Sequence, residues 1–97
     1  MAKIHELKCW PDFFLAILEG EKTAEYRKND RGFQVGDYLL FHMWDPDAQK
    51  GMGLRCLCKV THMMTSQGWI CIPEDYVVMS IVRIPQSDID RSTNIGQ

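Results

Sequence analysis

Lys22, Glu25 and Arg27 stand two or three positions apart in the run GEKTAEYRKNDRGFQVGD, residues 20–37. An ammonium, a carboxylate and a guanidinium at that spacing suit the recognition of an anionic or acceptor-rich ligand. Arg27 can fork onto a phosphate or a guanine edge, Lys22 can neutralise a phosphate, and Glu25 can orient Arg27 or accept from a base amino group. If Thr23 to Lys28 is a strand, its two-residue period places Thr23, Glu25 and Arg27 on one face and Ala24, Tyr26 and Lys28 on the other. Lys22 enters that strand and Asn29, Asp30 and Arg31 leave it, so one rim carries Lys22, Glu25, Arg27 and Arg31. The plainer reading is a solvated edge strand whose mixed charges discourage edge pairing. Two features favour a site: an arginine held beside a glutamate, and a position between a helix end and a Gly-Asp turn.

The elements that must position this rim follow from pattern. Ala2 to Cys9 alternates as a short strand. Trp10-Pro11 ends it and starts a helix, Pro11 to Glu19, with proline at the first position, Asp12 in the first turn and Gly20 as its stop. After the charged strand, two glycines in Arg31 to Asp37 mark turns, and Tyr38 to Trp44 reads as a central strand, apolar on both faces, with His42 packed in the core. Asp45 to Gly53 reads as a hairpin loop and Leu54 to Met64 as a strand whose inner face is Leu54, Cys56, Cys58 and Val60. Thr65 to Asp75 is irregular, and Tyr76 to Ile84 is the most β-prone run. The predicted core is Phe13, Phe14, Ile17, Leu18, Leu40, Cys56, Cys58, Val60, Val78 and Ile81, and Tyr26 is expected to pack inward as well. Residues 1–84 thus form one domain, and 85–97, too polar to demand packing, a flexible tail.

The chain has 97 residues, 45% of them hydrophobic, enough for one core. A formal net charge of −2 excludes bulk electrostatic attraction to nucleic acid or anionic membrane, so any such contact is local. No apolar window reaches the roughly 20 residues of a membrane span, and the N-terminal run lacks a signal peptide, so a cytoplasmic location and no membrane partner are expected. The four cysteines then read as thiols. Cys56-x-Cys58 invites a zinc reading with His62, His5 or Cys9, but both thiols lie in a continuous strand pattern, whereas zinc ligands usually pair on turns. No metal and no cofactor are expected.

Gly20-x-Lys22-Thr23-x-Glu25-x-Arg27 followed by Gly36-Asp37 and a hydrophobic strand resembles the signature of the ASCH superfamily, whose members share a PUA-like β-barrel. More narrowly, HELKCWPDFF, EYRKNDRGFQVGD, Trp44-Asp45-Pro46 and YVVMSI are similar to DUF3850, a family of small phage and prophage proteins. The likeness covers residues 5 to about 81. It implies an α+β fold, a mixed barrel of five or six strands with the N-terminal helix plugging one end. It also implies RNA or nucleotide binding in a cleft beside that helix, lined by Lys22, Glu25 and Arg27, with Lys28 and Arg31 on the rim. Tyr26, Trp44 and Trp69 are candidates to stack a base, Trp69 foremost because its loop is Gly-rich and polar. An alternative comes from small ASCH amidohydrolases acting on N4-acetylcytidine. Lys22 falls on their lysine, but Glu25 stands where they carry a threonine nucleophile, and only Glu74 matches their downstream glutamate by position. Catalysis would then rest on Lys22 as base and Glu25 activating water. A host protein is the third candidate partner, and a monomer is expected. On this reading Arg27→Ala weakens binding with little change in melting temperature.

Overall fold

A computed structural model describes residues 2–85. Its elements are β1 (Ile4–Cys9), α1 (Pro11–Leu18), β2 (Ala24–Lys28), β3 (Tyr38–Asp45), β4 (Lys50–Thr65) and β5 (Tyr76–Arg83). The strands make one mixed sheet in the order β1-β3-β4-β5-β2. Only β1 and β3 run parallel, because α1 and β2 lie between them in the chain and supply the crossover length that a parallel pair requires. The other pairs are antiparallel.

The sheet curls into a half-barrel because β4 serves both sides. Its first half pairs with β3 and its second half with β5. A bulge between Val60 and His62 bends it at the handover, where the Thr61 hydroxyl donates to the Ser80 carbonyl at 3.3 Å. A second irregularity, between His42 and Trp44, turns β3 toward its hairpin. That hairpin is tighter than the loop predicted from Asp45 to Gly53. Asp45 Oδ1 accepts from the amides of Asp47 and Ala48, and pairing resumes at Lys50.

The concave face buries Leu7, Leu39, Phe41, Val60, Val77 and Met79, against which α1 sets Phe14 and Ile17. Fully burying a side chain of this size stabilises by about 1.5–3 kcal/mol, so the two helix residues anchor α1 to the sheet. Cys56, Cys58 and Ile81 are buried as predicted.

Several inward assignments need correction, for two physical reasons. In β3, and at Val78 in β5, the phase is one residue off: Leu39 and Val77 point into the core, which leaves Leu40 and Val78 half-buried on the other face. His42 shares that outer face and, instead of packing in the core, bonds the Glu6 carboxylate at 2.8 Å. Both strands are apolar at consecutive positions, so alternation could not choose a phase. The remaining corrections concern edges. The eight-residue helix buries only Phe14 and Ile17, leaving Phe13 exposed and Leu18 half-buried. Leu54 lies where β4 runs past the core, and it is exposed. Tyr26, expected inside, is 55% exposed on an edge strand and stacks on Tyr76 at 5.2 Å.

One buried polar cluster ties the N-terminal strand down. Asp37 is 1% exposed; its Oδ1 accepts from the Lys3 amide, and its Oδ2 from the Gln34 amide and from His5 Nε2 at 2.8 Å. His5 in turn meets the Phe33 ring edge-on at 4.7 Å. Burial would raise the Asp37 carboxyl, but the bonds from His5, Lys3 and Gln34 together hold it below its ordinary value. The first residues of β1 are thereby pinned to the Gly36-Asp37 turn that opens β3.

Among the described residues, no helix is long and apolar enough to cross a membrane. No three of His, Cys, Asp and Glu converge there as a metal would need. The tail expected over 85–97 lies, apart from Pro85, outside the described residues.

Candidate functional site

The half-barrel does not close. β1 and β2 are the two edge strands, and two arginine side chains bridge the seam between them. Arg27 Nη2 donates to the Lys8 carbonyl and Arg31 Nη1 to the Glu6 carbonyl, both at 2.9 Å. Glu6 and Lys8 are two apart, so both carbonyls leave the same edge of β1. The guanidinium forks thus satisfy strand acceptors that a closed barrel would pair through its backbone.

The end of α1 and the ladder of β2 place the charged residues at this seam. Gly20 takes φ 77, the left-handed conformation in which glycine meets no Cβ penalty, and ends the helix. The amides of Glu21 and Lys22 then both reach back to the Ala16 carbonyl, at 2.9 and 3.0 Å, which fixes the backbone from which the Lys22 side chain leaves. In β2, Glu25 lies opposite Met79 and Arg27 opposite Val77. The period-two expectation holds here, since Glu25 and Arg27 share the inner face.

Glu25 is 8% exposed. Arg27 Nε donates to its Oε2 at 2.6 Å, and the Lys22 ammonium bonds its Oε1 and the Ala24 carbonyl. A carboxylate can be buried here because two cations compensate its lost hydration. Arg27 has five N–H donors, of which two are engaged. The trio therefore keeps one net positive charge and unused donors.

Beside it opens a cleft of about 520 Å³ between the end of β1 and the edge of β2. Lys22, Glu25 and Arg27 line it together with Cys9, Trp10 and Phe13. Trp10 and Phe13 are 56% and 51% exposed and stack on each other, with ring centroids 6.3 Å apart and planes within 17°. Tyr26 lines the opposite, β2 side. Burial, reinforced by the Glu25 charge and opposed by Lys22 and Arg27, pushes the Cys9 thiol up to about 11, so it is no ready nucleophile.

The structure therefore brings Lys22, Glu25 and Arg27 into one cleft and distributes the other candidates elsewhere. Arg31 sits further down the seam on Glu6, and Lys28 is exposed at the end of β2. Trp69 is exposed on the loop between β4 and β5, away from the cleft lining, as is Glu74. Trp44 takes the Lys8 ammonium over its ring at 4.1 Å. Sequence reasoning missed Trp10 and Phe13 as cleft walls. The available signal was Trp10 directly before a helix-starting proline, a position outside the helix that has no core face to join.

A mixed half-barrel with one short helix and a charged open seam defines a small β-rich domain built around an edge cleft. The chain belongs to the family described as "Domain of unknown function (DUF3850)", whose profile matches residues 4–81. It is also similar to the "Uncharacterized 12.9 kDa protein in GpA 3'region" of Escherichia phage P2. The two are 38% identical over 79 residues, covering 81% of this chain and 68% of the phage protein.

Proposed function

We propose that this protein is an RNA-binding module of the ASCH type, with a PUA-like fold, that takes a nucleotide unit into the seam cleft. The observation that carries the reading is the stacked, exposed Trp10–Phe13 pair set beside a cationic floor. An exposed aromatic ledge offers a base its π-face, worth about 1–3 kcal/mol per stacked base. Arg27 and Lys22 offer donors to a phosphate or to an acceptor edge. Glu25 contributes by holding both cations, since each of its oxygens is already engaged.

The same contacts weigh against the amidohydrolase alternative. Lys22 is tied to Glu25 and to the Ala24 carbonyl, and Cys9 is held as a thiol. Both oxygens of Glu25 are engaged by cations, which disfavours it as the group that activates water.

Quenching of tryptophan fluorescence by short single-stranded RNA tests the reading. Modest affinity is expected, with a salt slope on the order of two released counterions, and Trp10→Ala/Phe13→Ala should abolish binding while the fold persists. Incubation with N4-acetylcytidine, followed by absorbance, is the companion assay. Turnover that vanishes in Lys22→Ala refutes pure binding. Silence in both assays moves the reading to a protein partner.

A further inference from the structure

Trp10 and Phe13 form a ridge between two concavities of opposite charge. On one side lies the cleft of about 520 Å³ with Lys22, Arg27 and the paired Glu25. On the other lies a second hollow of about 330 Å³, whose lining holds Asp12, Asp45 and Asp47 and no cation. Beyond Arg27 the seam carries a second guanidinium, Arg31, on the Glu6 carbonyl, whereas Lys28 stands on the outer face at the end of β2 and Asp30 interrupts the run.

A polynucleotide carries a phosphate at every step, so this polarity restricts its path. The charges act only at short range, because the Debye length is about 8 Å at physiological salt. A phosphate seated in the second hollow would meet three carboxylates against one neighbouring cation, Lys50 across the hairpin from Asp45, whereas one on the β2 side would meet arginine and lysine. The larger cleft falls within the roughly 300–1,000 Å³ of sites for one small ligand.

Building on the nucleotide reading, we infer that the cleft accepts a single nucleotide, at a strand end or splayed from its neighbours. Asp45 and Asp47, with Asp12, keep the phosphodiester chain off the far side of the Trp10–Phe13 ridge. The ligand class is thus a terminal or extruded nucleotide, not a run of stacked single strand lying across the domain. The chain leaves along the seam toward Arg31.

The test compares wild type with Asp45→Asn/Asp47→Asn. Asparagine keeps the Oδ1 acceptor for the Asp47 and Ala48 amides, so the hairpin turn survives, as a thermal melt would verify. Glu74→Gln/Asp75→Asn, with the same change of net charge outside both hollows, is the control. The probes are the four nucleoside monophosphates and a mixed-sequence RNA octamer at 50 mM salt. Expected is an octamer affinity raised roughly three- to tenfold by the hairpin substitutions, unchanged monophosphate affinity, no effect of the control, and loss of the gain at high salt. An octamer affinity that the hairpin substitutions leave unchanged overturns the inference. So does a wild-type octamer slope of about four counterions or more. Both results leave nucleotide binding intact. If the folded wild type binds neither monophosphates nor octamer, the nucleotide reading fails, and this inference fails with it.

Discussion

Arg27→Ala is the perturbation that most directly probes how the half-barrel is held. The side chain makes two charge-assisted bonds, Nε to Glu25 at 2.6 Å within β2 and Nη2 to the Lys8 carbonyl at 2.9 Å across the seam. Bonds of this kind contribute about 1.5–3 kcal/mol each when shielded. Here Arg27 is only partly buried, and Glu25 keeps Lys22 as a partner, so no unpaired buried charge remains. The worked loss is therefore about 2–3 kcal/mol, below the range for breaking a fully buried ion pair. For a domain of this size that corresponds to a fall in melting temperature of roughly 10–20 °C. This corrects the expectation from sequence that Arg27→Ala would leave the melting temperature nearly unchanged, because the residue carries structure as well as charge. Urea denaturation followed by circular dichroism measures the loss. Arg27→Lys keeps the charge without the two-way fork and should fall between. Lys28→Ala, next in the strand and exposed, should stay within about 0.5 kcal/mol of wild type. An Arg27→Ala protein as stable as Lys28→Ala would refute the stitched-seam account.

The core assignment predicts that Phe14→Ala costs about 3–5 kcal/mol and half-buried Leu18→Ala clearly less, about 1–2 kcal/mol, by chemical denaturation; equal losses would contradict the packing of α1. Asp37 supplies a pH signature. Its folded-state pKa lies below the ordinary value near 3.8, so its contribution is complete above that value and fades as the pH falls through the lower folded one. Acid titration of stability should thus show a loss below about pH 4 that is smaller in Asp37→Asn, itself destabilised by about 1–3 kcal/mol at neutral pH. Thiol labelling with a disulfide reagent should show Cys71 reacting fast, while buried Cys9, Cys56 and Cys58 react only on unfolding. A second fast thiol in the folded state that peptide mapping assigns to Cys9 would mean that the seam opens beside it.

The local pattern of residues was enough to find each element and part of the site, though not the early start of β4 at Lys50. Pro11, Asp12 and Gly20 bound the helix, and alternation in Thr23 to Lys28 put Glu25 and Arg27 on one face, because capping and pleat are short-range geometry. Spacing alone also placed Lys22 within reach of Glu25. Tertiary structure decided the rest. The phase of β3 and β5 depended on which face met the helix, since YLLFHMW and YVVMSIVR are apolar at consecutive positions. Tyr26 and Phe13 became surface residues because β2 ends up at an edge and the short helix can bury only one stripe. His5 and Asp37, 32 residues apart, and the arginines reaching Glu6 and Lys8 were paired by strand order, which no local period encodes. The cleft itself exists because the sheet stops short of closing, a property of the whole half-barrel and of no single segment.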